Sequence, residues 1–67
     1  MAKALAGEEL RFVTQNWDVL EMHFIQRYPA REIAWRCNMK PESVSRIVSA
    51  AWLMGITRDD IQNYMGR

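Results

Sequence analysis

Residue types that staple or catalyse are scarce in this chain. One cysteine among 67 residues excludes an internal disulfide, and one histidine beside it makes no zinc set. Three scattered glycines build no phosphate-cradling loop. No apolar run reaches the roughly eighteen residues of a membrane span. The opening MAKALAGEEL has one Lys and no apolar stretch of the kind that directs secretion. His23 stands between Met22 and Phe24 with no acid placed to orient it. Ser43, Ser45 and Ser49 have no His or Lys beside them to activate an oxygen. These absences predict no enzyme, no cofactor and no metal. Cys37, on an inward-facing position, reads as a small buried hydrophobe in a reducing cytoplasm.

What is abundant is apolar. Hydrophobic residues make up 49% of the chain, with three Trp and five Met, in a length that allows one domain at most. A core of this size supplies only about 3–5 kcal/mol. Dimerisation is the common remedy, so a homodimer is expected. Net charge is +1 but unevenly spread. Residues 1–26 carry two cations against four carboxylates, a net of −2, and residues 27–67 carry seven against four, a net of +3. The basic half also holds the most patterned stretch.

That stretch is AREIAWRCNMKPESVSRIVS, residues 30–49, and it reads as helix, tight turn, helix. Ile33, Cys37, Met39, Val44 and Ile47 fall where two packed helices bury side chains against each other, and Ala34 is small where they pass closest. Asn38 tolerates the positive φ a turn needs. Pro41 suits a first helical position, where its missing N–H costs nothing.

The rest of the chain is helical too, giving an all-α, four-helix domain with helices over about 8–28, 29–37, 41–53 and 58–65. Leu10, Val13, Trp17, Leu20, Phe24 and Tyr28 repeat at three- and four-residue steps in the first. Thr14 and Asn16 leave open a second, shorter helix capped near Trp17. Pro29 is expected to close the first helix and open the next. Gly55 is a left-handed stop, and Thr57 a cap with Asp60 three residues on. Residues 1–7 are expected to form a flexible N-terminus, with residues 8–67 as the single domain.

Turning Val44, Ile47, Val48 and Ala51 inward leaves Glu42, Ser43, Ser45, Arg46 and Ser49 outward, preceded by Lys40. Short hydroxyls around one long cation allow close approach to the major groove, and Arg46 has the geometry to grip guanine through two hydrogen bonds. Glu42 is suited to accept from cytosine. Arg31 and Lys40, at helix starts, suit phosphates, with Arg27 and Arg36 as flanking candidates. Trp35 and Trp52 are candidates for contact with another chain.

From Val19 onward the chain resembles the LuxR/GerE-type DNA-binding domain and, more loosely, region four of bacterial sigma factors. VLEM (19–22), REIA (31–34), ESVSRIVSAAWLMGI (42–56) and TRDDI (57–61) carry the resemblance. It departs at Ser43-Val44-Ser45, where the family usually has Thr-Val and then a basic residue. The resemblance implies a third helix in the major groove of double-stranded DNA, and a last helix whose Ile61, Tyr64 and Met65 face a partner subunit. A free-standing unit this small looks like a phage or mobile-element regulator. The expectation is a sequence-specific transcriptional regulator. Its rival is a helix-turn-helix-derived inhibitor that docks on a host regulator or transcription machinery, motivated by the apolar excess and near-neutral charge.

Overall fold

A computed structural model describes residue 5 and residues 7–65, and among them only helices form. They are α1 (Glu8–Gln15), α2 (Trp17–Phe24), α3 (Ala30–Cys37), α4 (Pro41–Leu53) and α5 (Arg58–Met65). The all-α class holds, with five helices where four were expected.

The extra break lies at Asn16, where φ is −114° and ψ 25°. Thr14 Oγ1 donates to the Leu10 carbonyl at 2.8 Å, and Asn16 Nδ2 donates to the Phe12 carbonyl at 3.0 Å. Short polar side chains that bond back one turn bend a helix. Both therefore reach backward, and neither caps the helix that follows. α2 also ends sooner than predicted, at Phe24. The chain leaves it through Arg27, which takes a φ of 60°, while the Tyr28 N–H reaches back to the Met22 carbonyl at 3.0 Å. Pro29 stands one residue outside α3 as its extended N-cap, and its carbonyl accepts from the Glu32 and Ile33 N–H groups.

The α3–α4 connection follows its sequence signals. Asn38 is left-handed at φ 55°. Its N–H donates to the Trp35 carbonyl and the Met39 N–H to the Ala34 carbonyl at 2.9 Å, the paired bonds of a Schellman end. Lys40 is extended, and Pro41 opens α4. The same device ends α4. Gly55, at φ 75°, donates to Trp52, and Ile56 donates to Ala51. In the reciprocal cap of α5, the Thr57 N–H donates to Asp60 Oδ2 at 2.9 Å and the Asp60 N–H to Thr57 Oγ1 at 3.3 Å.

Two apolar clusters result. Val13, Leu20, Phe24, Ala51, Ile56 and Ile61 form the larger, joined by Leu5. Val19, Ile33, Ala34 and Val44 form the smaller, between α2, α3 and α4. α2 touches all four other helices, and Ile47 packs against both clusters. Two expectations change here. Leu5, assigned to a flexible tail, is buried, while residues 1–4 and 6 of that tail lie outside the described residues. Ile61, assigned to a subunit interface, is fully buried in the larger cluster. Its apolar side chain is consumed by its own fold.

Candidate nucleic-acid interface

α4 is held from one side. Val44 and Ala51 are fully buried, with Ile47 and Val48 half-buried beside them. At 100° per residue the opposite side must carry Glu42, Ser45, Arg46, Ser49, Trp52 and Leu53, and all six are exposed. Ser43 is half-buried at the margin, so its hydroxyl reaches less far than predicted. The face has two parts. Its first two turns are hydroxyl, carboxylate and guanidinium, whereas its last turn is apolar, with Trp52 66% and Leu53 90% exposed.

Lys40 is exposed just ahead of α4, and Arg31 is exposed in the first turn of α3. Neither their side chains nor that of Arg46 takes part in an ion pair or hydrogen bond among the described residues. Arg36 differs. Its Nε donates to Glu32 Oε2 at 2.8 Å, and its guanidinium carbon lies 4.6 Å from the centre of the Tyr28 ring. It is therefore engaged within its own domain. All four basic residues predicted for phosphates are exposed, and Arg27, Arg31 and Lys40 have no side-chain partner among the described residues.

The aromatic candidates separate in the same way. Trp35 is 78% exposed on α3. Tyr64 stacks against Trp17 with ring centres 4.8 Å apart and meets Thr14 Oγ1 at 3.1 Å. Since the Thr14 proton goes to Leu10, Tyr64 is the donor in that pair. Its hydroxyl ties α5 to α1. Met65, after it, is exposed.

Residues distant in sequence meet beside α4. A depression of about 300 Å³ reaches from Ser45 and Ser49 across to His23 and Tyr28. A second, of about 400 Å³, shares His23 and Tyr28 and continues to Trp52 and Arg58. His23 meets Phe24 edge-on at 4.8 Å, and burial lowers its pKa from the ordinary 6.5. The imidazole is accordingly neutral near pH 7. Cys37 is half-buried, and its thiol pKa is raised by burial and then by the charge of Asp18, which disfavours the reactive thiolate. Among the described residues no three His, Cys, Asp or Glu side chains gather as a metal set, and no helix is long and apolar enough to cross a membrane.

The described residues form a small five-helix domain in which α4 leaves a polar face exposed. No family model, no curated protein and no solved structure matches this chain.

Proposed function

We propose that this chain is a sequence-specific DNA-binding transcriptional regulator that acts as a homodimer, with α3 and α4 as its helix-turn-helix and α4 in the major groove. The observation that carries the reading is the bare polar face of α4, where Ser45, Arg46 and Ser49 project from a helix pinned by Val44 and Ala51. A helix must come within hydrogen-bond distance of the groove floor to read it, and serines permit that approach. Arg46 reads a base edge, Glu42 accepts from cytosine, and Lys40 and Arg31 hold phosphates. This keeps the LuxR/GerE-like placement of residues as part of the proposal. The second copy docks through apolar side chains away from that face, Trp35 and Met65 being the exposed candidates. No catalytic step is assigned.

The test is a fluorescence-anisotropy titration against a duplex chosen from a randomised pool. Arg46→Ala is expected to weaken binding about tenfold or more and to relax the choice of base at one position. Lys40→Ala should weaken all duplexes alike and flatten the salt dependence by about one unit of slope. Unchanged affinity in both variants would remove α4 as the reader.

The exposed Trp52 and Leu53 at the end of the same face favour a second reading, an inhibitor that docks on another protein. No retention on heparin or random duplex at low salt, with a stoichiometric protein partner co-purifying, selects it over the first.

A further inference from the structure

We infer that the 400 Å³ groove between the end of α2 and the start of α5 is a binding site for a small aromatic anion, a flat ring bearing a carboxylate or a phosphate. The inference stands on the lining and is independent of DNA binding. Tyr28, Phe24 and Trp52 supply aromatic surface, and the Phe24 and Trp52 ring centres lie 6.4 Å apart. Trp52 is two-thirds exposed, so much of its indole is uncovered by the domain. The groove also carries the guanidinium residues Arg27 and Arg58 and the Thr57 hydroxyl, and no carboxylate lines it. Neither arginine is paired within the domain among the described residues. Its volume is within the range of small-molecule sites.

Backbone geometry points the same way. Arg27 occupies a left-handed φ of 60°, a position at a helix end that glycine fills without strain. Arg27 is exposed and outside both apolar clusters. Its presence in strained backbone puts a guanidinium at the groove. A planar ring set on the Trp52 indole leaves its anionic group to Arg27 and Arg58, whose forked donors match a carboxylate or phosphate in two-bond geometry. His23, neutral near pH 7, adds a hydrogen-bonding edge rather than a charge.

The experiment is a nitrogen-15 chemical-shift titration of the whole chain. Indole-3-acetate is the carboxylate probe and adenosine monophosphate the phosphate probe, with uncharged indole and inorganic phosphate as partial ligands. The expected result is saturable movement of the Trp52 indole N–H and of the amides of Arg27 and Arg58 with at least one aromatic anion, the two arms telling which acid is preferred. Each partial ligand should bind about tenfold more weakly. Arg27→Gly, which relieves the backbone and so keeps the fold, and Arg58→Gln should each weaken binding by about the same factor. Absence of saturable shifts with both aromatic anions overturns the site. So does an affinity unchanged from the native chain in both arginine variants, or saturation by random-sequence duplex DNA alone, which would make these arginines backbone contacts.

Discussion

The two apolar clusters differ in what they are for. The larger one collects side chains from α1, α2, α4 and α5 and from segments at both ends of the described chain, Leu5 and Ile61 among them. The smaller has only four buried members, all on α2, α3 and α4, and it fixes the pair of helices that carries the polar face. One is a scaffold and the other is a mount. α2 and α4 belong to both, with Leu20 and Val19 on adjacent positions of α2 turned to different clusters, and Ile47 bridges them. That sharing implies one folding unit. Ile33→Ala in the mount and Ile61→Ala in the scaffold remove fully buried side chains, and each should cost about 2–5 kcal/mol. For a chain this small that is comparable to the whole stability. Hydrogen exchange on the milder Ile33→Val and Ile61→Val variants is the sharper measurement. Each should lower protection in both clusters together. Loss confined to the mutated cluster would divide the molecule into two units.

The next effect belongs to the scaffold side alone. Asp60 is 1% exposed and accepts the Thr57 N–H, so it closes the turn that brings α5 back onto α2. Asp60→Ala should cost about 1–2 kcal/mol in denaturant midpoint. Thr57→Ala should cost less, because its hydroxyl accepts over a longer 3.3 Å contact. If the Asp60 variant also weakens duplex binding while remaining folded, scaffold and mount are more tightly coupled than their side chains indicate.

Legibility in the sequence divides along the same line. The mount was readable because local chemistry sets it. Asn38 and Pro41 each occupy the backbone position their residue type favours, and Ile33 and Val44 fall on the inner side by helical spacing alone. The bare face of α4 follows from that spacing. The scaffold was readable only in part. Thr14 and Asn16 are as suited to bonding backward as to capping forward, and spacing does not choose between them. Ile61 on an amphipathic helix looks the same whether it meets its own core or a partner. Leu5 lies ahead of any periodic run, so its burial leaves no pattern. The groove beside Trp52 was the least legible feature. It joins residues 23–24, 27–28, 52 and 57–58, which no repeat connects, and the one local hint is an arginine just ahead of Tyr28-Pro29.

Arg27 offers a smaller and opposite effect. A non-glycine side chain in left-handed backbone carries a penalty of order 1 kcal/mol, partly offset on replacement by the greater freedom of glycine when unfolded. Arg27→Gly should therefore raise stability only slightly, by up to about 0.5 kcal/mol. A loss of stability instead would mean that the guanidinium supports the fold, and the comparison between a strained groove edge and a relaxed mount would fail.

The smallest effect is a pH dependence. Burial lowers the His23 pKa below its ordinary 6.5, so the unfolded chain takes up a proton more readily than the folded one. The stability due to neutral His23 is complete above pH 6.5 and drains away as pH falls toward the lower folded value. Denaturation at roughly pH 7.5 and pH 5.5 should show a larger loss for the native chain than for His23→Gln, which cannot take the proton. Carboxylate protonation is common to both and cancels in the difference. Arg27 and Arg58 line the same groove, so a protonated imidazole is a third cation among them. Stability and affinity for an anion in the groove should consequently move in opposite directions as pH falls. An equal pH response in the two chains would place His23 outside the balance of the scaffold.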